Sequence, residues 1–136
     1  MSKDTILVTG ATGHIGNVLV RKLLERGEKV RALILPGEDT SSLQGMEVEK
    51  TEGDVLDLSS LWESFLGVRG VFHLAGVISI MPGENPTVRK VNVEGTRNVL
   101  KAAMQAGVER LMYTSSIHAI AEPPHGLVHG RNVAKR

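Results

Sequence analysis

Cysteine is absent from the 136 residues. That excludes a disulfide framework, a thiol nucleophile and any cysteine-based metal site. Aromatic residues are scarce, with one Trp, one Tyr and two Phe, which argues against a nucleic-acid-binding surface. Neither sign of charge dominates: 16 Lys and Arg stand against 15 Asp and Glu, so no basic patch for nucleic acid or for a membrane surface is implied. No apolar run approaches membrane-spanning length, and a core-type strand begins within a few residues of Met1. A secretory leader has no room, and a cytoplasmic protein is expected. The length suits a single domain with a real core.

What the chain does have is glycine in a particular setting. Thr5 to Val8 is a short β-branched and aliphatic run, the usual content of a buried parallel strand. From Val18 the pattern turns helical, with Val18, Leu19, Leu23 and Leu24 apolar and Arg21, Lys22, Glu25 and Arg26 between them. Between strand and helix lies Thr9-Gly10-Ala11-Thr12-Gly13-His14-Ile15-Gly16. Gly10 permits a tight turn, Gly13 lets backbone approach a pyrophosphate, and Gly16 allows the helix to pack closely on the strand. The helix start offers free N–H groups and a positive dipole end to phosphates. Gly10, Ala11, Thr12, Gly13, His14, Ile15 and Gly16 are therefore candidate cofactor-binding residues. No Gly-Lys-Ser/Thr follows, which excludes a Walker phosphate loop.

Written as Thr-Gly-x-Thr-Gly-x-x-Gly, the turn resembles that of the extended short-chain dehydrogenase/reductase family, which includes nucleotide-sugar epimerases and dehydratases and dihydroflavonol reductases. The resemblance covers residues 3 to 122. It implies a doubly wound parallel sheet (a Rossmann fold) of about five strands in order 3-2-1-4-5, with helices on both faces. The cofactor it implies is NAD or NADP.

Taken in order, Gly27 ends the first helix and Lys29 to Leu35 reads as a second strand, stopped by Pro36-Gly37. Ile34 falls where NAD-preferring relatives place Asp, and Leu35 where dihydroflavonol-reductase-like relatives place Arg. Neither marker is present; Arg31 is close, Glu38 and Asp39 lie just beyond the turn where a solvated role is the alternative, and the choice between NAD and NADP stays open. Asp39 to Gly45 reads as a short helical turn or loop, and Met46 to Lys50 alternates as an edge strand. Gly53-Asp54-Val55-Leu56-Asp57 resembles a family segment whose Asp side chain and following N–H recognise the adenine edge, which implicates Asp54 and Val55. Asp57 or Ser59 is expected to cap a helix carrying Leu61, Trp62, Phe65 and Leu66.

Gly70 to Gly76 reads as a strand and its exit, similar to the family's His-x-Ala-Ala/Gly signature. Leu74, Ala75 and Gly76 would lie beside the cofactor, and His73 takes a structural role rather than acid–base work. Met81 to Pro86 reads as a loop, and the longest helix is expected over 86–106. Within it Asn92, Gly95, Thr96, Asn98 and Leu100 match the family's Asn-x-x-Gly-Thr-x-Asn-x-Leu helix. There the Asn supports the active-site backbone and the outer face commonly pairs with another subunit, so Asn92 becomes a candidate catalytic residue and a homodimer through 86–106 is implied. The helical glycine needs a packing reason, such as close approach to the sheet. Glu109 to Thr114 reads as the fifth strand, followed by Ser115-Ser116, where the resemblance makes Ser116 the catalytic serine.

The family's Tyr-x-x-x-Lys pair is missing. The single Tyr is Tyr113, with Ile117 four residues on. A sixth strand and a substrate lobe are not expected within these 136 residues either. Residues 1–122 thus read as the dinucleotide-binding domain and 123–136 as an irregular tail, in which His125 and His129 do not make a metal site among Pro-Pro and Gly. The expectation is the cofactor-binding portion of such an enzyme, inactive by itself, with a small-molecule substrate belonging to full-length relatives. A free-standing cofactor-sensing module without catalysis is the alternative.

Overall fold

The computed structural model describes residues 3–81 and 83–119. The expected tail and its two histidines lie outside the described residues. Five strands, β1 (Thr5–Thr9), β2 (Lys29–Ile34), β3 (Glu49–Glu52), β4 (Val68–His73) and β5 (Arg110–Tyr113), form one sheet in order β3-β2-β1-β4-β5. Every pairing is parallel, with Leu7 opposite Arg31 on one side and Val71 on the other. This is the expected doubly wound topology, and chain order reverses between β1 and β4, where such sheets open a crevice at their carboxyl ends.

The sheet separates two apolar layers. All five residues of β1 are buried, and period-two alternation sends them to opposite sides. Leu7 joins Leu33, Phe65, Val71, Val99 and Ala102 on one face. Ile6 and Val8 join Val20, Leu23, Val30 and Ile34 under helix α1 (His14–Glu25) on the other. The first of these layers is covered by α4 (Thr96–Ala106) and by α2, a single turn at Leu58–Leu61. Lys3 ties the chain start to the end of α4, its Nζ donating to the carbonyls of Ala106 at 2.7 Å and Gly107 at 2.6 Å. Gly107 closes that helix at φ 64°, the left-handed position glycine takes at C′.

Several boundaries differ from expectation, each for a physical reason. α1 starts at His14, so His14, Ile15 and Gly16 form its first turn. β3 begins at Glu49 rather than Met46: Met46 and Val48 pack into the α1-side layer, and Arg31 engages Glu49 at 3.0 Å. The helix expected around Trp62 breaks after Leu61 into a 3₁₀ turn at Glu63–Phe65, leaving Leu66 exposed. The 86–106 helix runs through, but Lys90–Gly95 is wound as π-helix between α3 (Pro86–Arg89) and α4.

Candidate functional site

At the switch point, β1 runs directly into the glycine turn. Gly10 sits at φ +69°, and a Cβ there would meet Ala75 N and Leu74 C at 2.8 Å. Only glycine supplies both the conformation and the clearance. Gly16 presses on the turn itself, not on the strand: a Cβ would fall on the Gly10 carbonyl and within 2.9 Å of the Ala11 Cα. Gly13 is the helix N-cap without any side-chain cap, and a Cβ on it would meet only the Gly10 carbonyl, at 3.3 Å. Its outer side is open, so a ligand can come against bare backbone. The first turn of α1 holds no acidic residue that would oppose an anion at this positive helix end.

A crevice of about 440 Å³ opens above this turn. Of the expected residues, Gly10, Thr12, Gly13, Asp54, Val55, Leu74, Ala75 and Gly76 line it, together with Leu33, Leu35 and Glu38. Others lie off it. Ala11 is buried in the α1-side layer, and His14 and Ile15 turn their side chains to a shallow outer groove with Val18 and Lys22. Ile34 is buried beneath α1, so it cannot face a ligand, whereas Leu35 does.

The Gly53–Leu56 segment is tightly folded. Asp54 accepts from Leu56 N at 2.8 Å through Oδ1, and its own N–H donates to Ser60 Oγ at 2.9 Å. Asp57 caps α2 by accepting from Ser59 N, and the Ser59 hydroxyl, donating to the same carboxylate, lowers its pKa. Asn98 reaches across from α4 and donates to the Val55 carbonyl at 2.9 Å. Gly95 packs on Val55 so closely that a Cβ would meet Val55 Cγ2 at 2.7 Å. The helical glycine thus makes room for this lining segment rather than for the sheet.

The floor of the crevice is held by one directed hydrogen-bond chain. Thr96 Oγ1 donates to the Asn92 carbonyl at 2.7 Å, so it accepts from His73 Nε2 at 2.9 Å. With that proton on Nε2, Nδ1 is the acceptor for the Thr9 hydroxyl at 2.7 Å. Thr9 Oγ1 accepts in turn from Leu74 N at 3.2 Å and Ala75 N at 3.1 Å. His73 is 1 % exposed, lies stacked on Tyr113 at 5.7 Å, and burial pushes its pKa down to about 4. It is a neutral structural histidine beside the crevice, as its strand position implied. Asn92 clamps Val77 from both sides, accepting from its N–H at 2.8 Å and donating to its carbonyl at 2.9 Å. Asn92 therefore acts on the crevice through the backbone it holds. Asn98 and Thr96, given no role by sequence reading, prove to be the pieces of the helix motif that hold the lining in place. Ser116 follows the carboxyl end of β5 and is exposed. It stands at the expected end of the sheet, outside the crevice lining.

Residues 7–131 match the family model described as the 3-beta hydroxysteroid dehydrogenase/isomerase family. The chain belongs to that family. It is 46% identical over 122 residues to sterol demethylase protein B of Methylococcus capsulatus, covering 90% of this chain and 37% of that protein. Among solved structures, UDP-glucose 4-epimerase of Thermus thermophilus in complex with NAD superposes with a TM-score of 0.80 at 30% identity, over 97% of this chain and 44% of the other. A short-chain dehydrogenase/reductase superfamily protein from Agrobacterium tumefaciens with bound NAD gives 0.70 at 35%, over 85% and 33%. The chain thus spans about 37% of the length of the curated relative. No helix among the described residues is long and apolar enough to cross a membrane, and they hold no cluster of three or more His, Cys, Asp or Glu placed for a metal ion.

Proposed function

We infer that this chain is the NAD(P)-binding portion of an extended short-chain dehydrogenase/reductase. The carrying observation is the glycine turn: its first and third glycines admit no Cβ, and its second leaves bare backbone facing the crevice. That cradle fits a pyrophosphate, drawn by the N–H groups and dipole at the start of α1. Asp54 and the Val55 N–H supply the adenine edge contacts, on a segment held by Asn98. Leu74, Ala75 and Gly76 carry the backbone toward the reactive end, fixed by Thr9 and Asn92.

The bound nicotinamide would supply hydride transfer to or from a carbinol or ketone carbon. Ser116 would orient the reacting oxygen at the end of β5. The chain contains no Tyr-x-x-x-Lys, and general acid–base help is worth about 10²–10⁴-fold. The chain alone therefore binds a cofactor without turning over a carbonyl or alcohol. Val93, Leu100 and Met104, exposed along 86–106, form the surface through which copies associate.

Two readouts on the purified chain test this. Reduced cofactor should raise the unfolding temperature, as any ligand specific to the native state does. Absorbance at the reduced-nicotinamide band should stay constant on adding aldehydes, ketones or steroid-like and sugar-nucleotide substrates. Turnover lost in Ser116→Ala would contradict the inactive reading.

A further inference from the structure

The geometry points to Glu38 as the residue that selects NAD over NADP, a conclusion that rests on the cofactor reading above. Strand-end readout is closed here, because Ile34 is buried under α1 and Leu35 brings no polar group to the crevice. The turn after β2 instead folds back. Glu38 Oε2 accepts from Leu35 N at 2.9 Å, and Oε1 accepts from the Thr12 hydroxyl at 2.5 Å. The carboxylate therefore bridges the glycine turn to the end of β2 and lines the crevice wall between them. Ser42 secures the same junction by donating to the Thr12 carbonyl at 3.0 Å.

Position decides what such a carboxylate meets. With the pyrophosphate on the glycine turn and the adenine at Asp54 and Val55, the adenosine ribose falls between them, alongside Leu35 and Glu38. A carboxylate accepts two hydrogen bonds there already and keeps lone pairs for ribose hydroxyls. A 2′-phosphate would bring like charge against it. Among the described residues, the charged side chains lining the crevice are Glu38 and Asp54, both acidic. No Lys or Arg among those lining residues offsets the repulsion.

Calorimetric titration of the whole chain with NADH and with NADPH tests this, for wild type, Glu38→Gln, Glu38→Ala and Asp54→Asn. Circular dichroism and urea midpoints confirm that each variant is folded. Wild type should bind NADH about tenfold or more tighter than NADPH, and added salt should narrow the gap by screening. Both Glu38 variants should bring the two affinities within about threefold, chiefly by strengthening NADPH. Asp54→Asn should weaken both while keeping their ratio. Equal binding by wild type, or an unchanged ratio in both Glu38 variants, overturns the assignment and leaves the cofactor reading intact. Binding of neither dinucleotide overturns both.

Discussion

Acidification should destabilise this fold through one histidine before its carboxylates dominate. His73 titrates at about 4 in the native chain against 6.5 for a free histidine, because burial disfavours its charged form. The unfolded chain therefore binds a proton that the native one refuses between those two values, and stability falls as pH drops across that window. At about 1.4 kcal/mol per pH unit, the loss attributable to His73 is roughly 1 kcal/mol at pH ~5.5 and roughly 2–3 kcal/mol at pH ~4.5. The structural cost has a definite form. A proton on Nδ1 would face the Thr9 hydroxyl, which already accepts from Leu74 N and Ala75 N, so the hydroxyl would lose its own acceptor. Urea unfolding of wild type and His73→Asn, measured from about pH 7.5 to about pH 4.5, isolates the effect because all other groups are shared. Wild type should start more stable and converge on the variant by about the amounts given. Parallel curves for the two proteins would refute the reasoning.

Gly16→Ala should cost about 2 kcal/mol or more in a urea midpoint, since its Cβ lands on the Gly10 carbonyl; an unshifted midpoint would contradict the close approach. Asn98→Ala leaves the Val55 carbonyl without its side-chain donor and should cost about 1–2 kcal/mol. The same variant should weaken AMP binding in a titration, because the adenine-facing segment loses its anchor. Sedimentation velocity should show concentration-dependent association that Leu100→Glu with Met104→Lys abolishes, those residues being 44% and 80% exposed; a monomer at all concentrations would dismiss that surface.

Elements whose signal is local were legible in the sequence. β1 is apolar on both faces because it is central and covered by two layers, and the glycine turn that follows needs no distant partner to be recognised. The alternation of Met46 and Val48 predicts a strand from Met46, yet their side chains serve the α1-side layer and the pairing with Arg31 begins only at Glu49. The π-wound stretch Lys90–Gly95 carried no sequence signal, since Asn92 and Gly95 answer to Val77 and Val55 far along the chain. Glu38 is named by the sequence only as a residue beyond the strand end, because its contact with Thr12 depends on how the turn after Pro36-Gly37 folds back.

The proposed dinucleotide site rests on bare backbone at the second glycine. Gly13→Val tests it most directly, because Gly13 lines the crevice and an added Cβ would meet the Gly10 carbonyl at 3.3 Å, close enough that the turn must shift slightly. The variant should fold with its stability in urea unfolding lowered by about 1 kcal/mol, since Val replaces Gly at the helix N-cap, and calorimetric titration with NADH should give binding for wild type and none for folded Gly13→Val. NADH binding of equal strength by both proteins would contradict the account.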